Sequence, residues 1–264
     1  MNSEIKYNNL IESLISISKE AGEAILKIYD LDDLGISHKE DNSPLTLADK
    51  ASNEVICSQL EKLTPEIPIL SEEGKGISFD KRKNWDTFWL IDPLDGTKEF
   101  IKKNGEFTVN IALINHFKPI LGIVYAPVLN TIWYGSASEG AFKIIKDKKP
   151  EKINVLRYDN NETVKVVSSR SHSNNTKLEE FLTDYPKHEL VFMGSSIKIC
   201  LVADGSAHIY PRLGPTMEWD TAAAHAVVKF AGGNILDMED KNELSYNKEN
   251  LLNPSFLVNN SMLL

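Results

Sequence analysis

The chain has 264 residues, 42% of them hydrophobic and 25% charged, with a net charge of -9. That is enough apolar chain for a sizeable core in one large or two intimately packed domains, and the acidic balance argues against a nucleic-acid polymer as partner while leaving small anions open. No apolar run approaches the ~20 residues of a membrane span and the start, Met1-Asn-Ser-Glu-Ile-Lys-Tyr7, has no secretory pattern, so the expected location is the cytoplasm, with no integral membrane segment.

Leu10, Leu14, Ile17, Ala21, Ile25 and Ile28 recur at helical spacing and predict one long amphipathic helix from about residue 4 to 30. A second helix should start near Thr46 and run through Val55, Ile56, Leu60 and Leu63. Asp49, in its first turn, is favoured there by the helix dipole. Strand-like runs follow at Ile67–Leu70, Phe88–Ile91, Phe107–Ile114 and Ile120–Tyr125, which predict a mostly antiparallel sheet with helices laid against it. Lys143–Lys152 and Asp159–Glu162 read as a solvated surface linker and place a soft boundary near residue 157. It divides an N-terminal α+β part (1–157) from a C-terminal α/β part (158–264). The latter should contain strand Val164–Ser168, helix Thr176–Thr183, strand Leu190–Met193, helix Ser196–Ala203, strand Ala207–Tyr210, helix Trp219–Ala231 and strands near Asn234–Leu236 and Phe256–Val258. The two cysteines, Cys57 and Cys200, lie in apolar helical patterns and read as buried free thiols.

The chemistry concentrates in Trp89-Leu-Ile-Asp-Pro-Leu-Asp-Gly-Thr-Lys98, where an apolar strand runs directly into two aspartates, Asp92 and Asp95. Asp92 can bridge hard cations at the end of a rigid strand, and Pro93 fixes the turn so that Asp95 converges from a second direction. Gly96 lets the backbone approach an anion, and a helix starting here points its first N–H groups at that anion. The plainer reading is a polar turn with Asp95 as a helix N-cap. Glu72 likewise sits at a strand end, in Ile69-Leu-Ser-Glu-Glu-Gly74, where a solvated turn is the ordinary expectation. Asp220, in the first turn of the Trp219–Gly233 helix, reads first as a cap, and His225 on the same helix as a packed histidine.

Three ordered motifs, Ser71-Glu72-Glu73, Asp92-Pro-Leu-Asp-Gly-Thr97 and Trp219-Asp-Thr-Ala-Ala223, together resemble the magnesium-dependent, lithium-sensitive phosphatases of the inositol monophosphatase superfamily, over essentially the whole chain. The stretch Gly96–Leu113, with Ser169-Arg-Ser-His172, Gly194-Ser-Ser-Ile-Lys198 and Tyr210-Pro-Arg-Leu-Gly-Pro-Thr216, is most similar to the CysQ-type bisphosphate nucleotidase branch. The resemblance implies a layered αβαβα sandwich of α/β (α+β) class. It implies hydrolysis of the 3'-phosphate of 3'-phosphoadenosine 5'-phosphate (PAP) to AMP in sulfur assimilation, with the sulfated nucleotide PAPS as a second candidate substrate. By the same resemblance, Glu72, Asp92 and the Leu94 carbonyl hold one Mg2+, Asp92, Asp95 and Asp220 hold another, and Glu72 reaches a weaker third site through water. Asp49 and Thr97 are the implied catalytic pair, orienting water. Gly96 and Thr97 are the implied phosphate contacts, Glu72 and Asp220 border the substrate, and His172, Ser195, Ser196, Lys198, Tyr210 and Arg212 face the nucleotide, the two cations suiting a second phosphate. The inositol enzymes carry a glutamate seven residues before the Trp-Asp aspartate; here that position is Leu213. The rival readings are an inositol or sugar monophosphatase of broad specificity and a non-catalytic nucleotide sensor. Some relatives associate peripherally with the inner membrane, and the resemblance extends that possibility to this chain.

Overall fold

The structure, a computed structural model, describes residues 10–38, 44–74, 76–157, 162–170 and 176–260. The first predicted helix is α1 (Ile11–Tyr29), its expected residues 4–9 lying outside the described residues. A short pair, β1 (Ser37–His38) and β2 (Pro44–Leu45), precedes α2 (Leu47–Leu63). α2 begins where expected because Thr46 caps it from both directions: its hydroxyl accepts from Ala48 N, and its own N–H donates to Asp49 Oδ2 at 2.7 Å.

The main sheet has the spatial order β3 (Ile69–Ser71), β4 (Thr87–Asp95), β5 (Thr108–Asn115), β6 (Lys118–Ala126), β7 (Thr131–Ser136), β8 (Gly140–Ile145), β9 (Glu151–Lys152), and only β3 and β4 run parallel. Two short helices flank β4, α3 (Phe79–Arg82) and α4 (Thr97–Ile101). Strand alternation divides the core between the two faces. Trp89, Ile91, Ile111 and Ile123 pack against α1 and α2. Phe88, Leu90, Ala112 and Val124 face the other way, against α6 (Ile197–Ala203) and α7 (Glu218–Phe230).

Beyond those helices lies a smaller β layer. In it β10 (Val164–Ser168) pairs in parallel with β11 (His188–Phe192), and β14 (Phe256–Asn260) stands between β12 (Tyr210–Arg212) and β13 (Gly233–Asp237). α5 (Thr176–Leu182) closes it from outside, Phe181 and Leu182 packing on Val164, Val166 and Ile209. Helix, sheet, helix, sheet and helix therefore alternate, as the α+β sandwich requires. No helix among the described residues is long and apolar enough to cross a membrane.

α7 lies unusually close to the main sheet. A Cβ on Gly122 would stand 2.2 Å from the carbonyl oxygen of Ala223, and one on Gly135 would stand 2.9 Å from Val227 Cα. Only glycine permits these approaches, and with them the alanine-rich helix is seated directly on β6 and β7.

The structure corrects two readings. Lys143–Lys152 is not a linker throughout: its ends belong to β8 and the edge strand β9, which pair antiparallel, and only residues 146–150, with Lys146, Lys148 and Lys149, form an exposed turn between them. Lys143 itself is no solvated charge, since its ammonium meets the buried Asp204 carboxylate at 2.6 Å. The expected strand Ala207–Tyr210 divides between two partners: Ile209 bridges Val166 of β10, and pairing with β14 begins only at Tyr210. Cys200 is buried and Cys57 half-buried, both as free thiols. One apolar cluster joins Leu70, Phe88 and Trp133 to Val202, Val227 and Phe256 across residue 157. The parts 1–157 and 158–264 are therefore proposed to pack as one unit.

Candidate active site

Two strand ends and one helix start bring three carboxylates together. Glu72 follows β3, its N–H donating to Ile91 O at 3.1 Å, so the parallel ladder carries it alongside β4. Asp92 lies within β4 just before an irregularity, its pairing with Asn110 shifting before Asp95 pairs with Thr108. Asp92 Oδ1 accepts Leu94 N at 3.0 Å, and Ser52 of α2 donates to Pro93 O at 2.7 Å, fixing the turn from below. Asp220 enters from the far side, in the first turn of α7, where its Oδ2 accepts Met217 N at 2.9 Å. Carboxylate oxygens of Glu72, Asp92 and Asp220 lie within 4.8 Å of one another.

This proximity is costly without a cation. Asp92 is 1% exposed. Burial pushes its pKa well above the ordinary carboxylate range, and the charges of Glu72, Asp95 and Asp220 push it further. Burial also raises Asp220, with Asp95 and Glu72 adding to the shift and the Met217 N–H and Arg212 opposing it.

Asp95 stands beside this group but outside the three-carboxylate cluster. Its Oδ2 accepts Ser195 Oγ at 2.7 Å and Ser196 N at 2.5 Å. The serines are in turn held from β5: Thr108 Oγ1 lies 2.6 Å from Ser195 Oγ and 2.8 Å from Ser196 Oγ, and Asn110 Oδ1 accepts Ser196 Oγ. Gly96, at φ +94°, turns the chain into α4, whose first N–H groups are not taken up within the helix. Thr97 Oγ1 donates to Asp49 Oδ1 at 3.3 Å and lies 3.5 Å from Leu94 O. The other Asp49 oxygen takes both donors of Thr46, so the carboxylate is fixed from two sides.

Asp95, Gly96, Ser195, Ser196, Lys198, Tyr210, Arg212 and Asp220 line one cleft. Lys198 is 7% exposed, with its ammonium 2.6 Å from Ser195 O and 5.6 Å from the Tyr210 ring centroid. Arg212 is braced by the carbonyls of Gly214 and Pro215. His172 lies outside the described residues. Thr108, Asn110, Ser52 and Glu106 were not anticipated. The signal for two of them was present: Thr108 and Asn110 put polar groups on the strand face that Ala112 and Ile114 otherwise make apolar.

The sequence profile of the inositol monophosphatase family matches residues 6–263. The chain belongs to the inositol monophosphatase family. It is 47% identical over 251 residues to the 3'(2'),5'-bisphosphate nucleotidase CysQ of Escherichia coli K12, a match covering 94% of this chain and 99% of that protein. Among solved structures, CysQ from Bacteroides thetaiotaomicron, a bacterial member of the inositol monophosphatase family, aligns with TM-score 0.82 and 42% identity over 93% of this chain and 95% of that one. The extragenic suppressor protein SuhB of Bartonella henselae, 22% identical with TM-score 0.78 over 96% of this chain and 95% of that one, shares the fold.

Phosphatases of the inositol monophosphatase family are metal-dependent, and the residues present here fit a metal. The donors are carboxylates, hard oxygens without a thiolate or imidazole among them, and like charges crowded around the buried Asp92 are relieved by a divalent cation. His225, by contrast, is a packed histidine: it is fully buried, 2.8 Å from Tyr246 Oη and 3.3 Å from Asn234 Oδ1.

Proposed function

We propose that the chain is a magnesium-dependent 3'(2'),5'-bisphosphate nucleotidase that removes the 3'-phosphate of PAP, giving AMP and phosphate, in the cytoplasm. The observation that carries this reading is the meeting of two opposite features, a partly buried carboxylate cluster suited to cations and, in the cleft that Asp220 shares with it, the cations Lys198 and Arg212, suited to an anion. The name and high identity of the CysQ relatives support the same substrate.

Glu72, Asp92 and Asp220 would hold magnesium, with Asp95 and the Leu94 carbonyl completing its surroundings. Bound magnesium supplies Lewis acidity, lowering the pKa of a water and offsetting charge on the phosphoryl oxygens. The Thr97 hydroxyl, donating to Asp49, keeps its lone pairs available to accept a hydrogen bond from the attacking water and so orient it. Backbone N–H groups at Gly96 and Thr97 would bind phosphate oxygens. Lys198 and Arg212 are left for the phosphate that is not cleaved.

Magnesium should restore activity to EDTA-treated protein. Calcium should not, because it takes more ligands at longer distances than the compact octahedral ion, and lithium should inhibit. Full phosphate release in EDTA would refute the metal assignment.

Lys198→Ala should lower kcat/KM for PAP by about 10- to 150-fold, the equivalent of a charge-assisted hydrogen bond of roughly 1.5–3 kcal/mol, and should affect a monophosphate ester such as inositol 1-phosphate far less. Because Lys198 also bonds Ser195 O, an equal loss on both substrates would mean that it supports the serine loop rather than reading a second phosphate.

A further inference from the structure

Asp95 owes its setting to a loop from the other half of the chain, and something must hold that loop. Ser195 adopts φ +57°, a left-handed conformation unfavourable for a residue with a side chain, yet its hydroxyl and the next N–H converge on Asp95 Oδ2. The residue before it, Gly194, donates its N–H to Glu106 Oε2 at 2.7 Å. The same carboxylate is gripped by the Arg170 guanidinium, through Nη1 to Oε2 and through Nη2 to Oε1 at 2.5 Å. Glu106 also fills the space between the two turns. A Cβ on Gly194 would lie 2.8 Å from Glu106 O, and one on Gly96 would lie 3.2 Å from Glu106 O and 3.3 Å from Ser195 Cβ. The Glu106 side chain is only 14% exposed, and Arg170, with the Gly194 N–H, keeps its carboxyl below the usual range, in the charged form that accepts these bonds.

We propose that Glu106 is a positioning residue for the metal site: by accepting the Gly194 N–H between the Gly96 turn and Arg170, it holds Ser195 and Ser196 against Asp95 and so fixes how Asp95 is presented to the cation. The pair with Arg170 is half-exposed on the arginine side and adds little to global stability, so variants at this position should fold.

The inference rests on the metal-phosphatase reading but is tested without turnover. Magnesium affinity is measured by titration calorimetry on the full chain, and amide hydrogen exchange is followed across residues 193–197. Glu106→Ala should weaken magnesium binding by about 10- to 100-fold, the usual effect of removing a group that orients a metal ligand, and should speed exchange in 193–197 while leaving α1 and α2 unchanged. Glu106→Gln, which keeps an acceptor for Gly194 N–H, should recover most of the affinity. Ser195→Ala in the Glu106→Ala background should add little further loss, because both changes act through one bond. Wild-type affinity in Glu106→Ala, unchanged exchange in 193–197, or additive losses in the double variant would each overturn the role. A phosphate-release assay on the wild type stands apart from all of these and bears only on the activity.

Discussion

Asn in place of Asp92 should leave the protein folded and reduce turnover by at least about a thousandfold, a loss of roughly 4 kcal/mol of transition-state stabilisation. Asp92 sits in the middle of the cluster, so its removal takes away the ligand that the others surround. Stability should move the opposite way. In the metal-free protein the side chain is buried among like charges, and neutralising it relieves that repulsion; the melting temperature in EDTA should match or exceed wild type. Magnesium at about 100 times its Kd should stabilise the wild type by roughly 2.7 kcal/mol and the variant hardly at all. The pH dependence follows from the raised pKa. A carboxyl that ionises at higher pH in the folded state than in the unfolded chain contributes stability that is present below the unfolded value, about 4, and is lost as pH rises through the folded value. Metal-free wild type should therefore weaken with rising pH above about 4, and magnesium or the substitution should flatten that slope. A variant that kept both its magnesium-induced thermal shift and its turnover would remove Asp92 from the ligand set.

Thr97→Ala is the second large effect, of about 100- to 1000-fold in kcat, on the order of what misplacing a reacting group costs. The hydroxyl is tied to Asp49 and lies outside the carboxylate cluster, so the magnesium concentration for half-activity should stay near wild type. Thr97→Ser keeps the oxygen and should recover most of the rate. Asp49→Asn is a less clean probe, because Asp49 also caps α2 through Thr46 N and removing such a cap costs about 1 kcal/mol. Steady-state rates at saturating magnesium decide the point: if Thr97→Ala keeps more than about a tenth of wild-type kcat, a deficit of only ~1.4 kcal/mol, the assigned role is wrong.

Periodic apolar patterns made α1, α2 and the first strands legible, because each element has one buried face and its side chains repeat with the period of that face. The proposed metal ligands were legible through the resemblance of three ordered motifs: singly, Glu72 reads as a solvated turn and Asp95 and Asp220 as helix caps, and no one of them specifies a cation. Lys143–Lys152 misled because the lysines of edge strands and those of a solvated loop look alike in sequence, and only a partner such as Asp204, far along the chain, tells them apart. Asp95 illustrates the limit at the site. Its position beside the cluster could be inferred, but its bonds to Ser195 and Ser196 could not, because nothing local in either segment specifies that they meet. Glu106 was hidden for the same reason, its partners Gly194 and Arg170 lying well beyond it in the chain.

The place of β14 in the smaller β layer has a consequence for how the enzyme is made. This strand, residues 256–260, is synthesised after every other strand of that layer, yet it is the middle strand, pairing with β12 on one side and β13 on the other. While the chain is growing, β12, which carries Tyr210 and Arg212, has no strand at the side where β14 will lie, and the edge of β13 stands open as well. The acidic cluster can form once α7 has docked, but the wall of the cleft bearing Arg212 waits for residue 256 and beyond. Nascent chains should thus acquire the capacity to hold a cation before the capacity to choose a nucleotide.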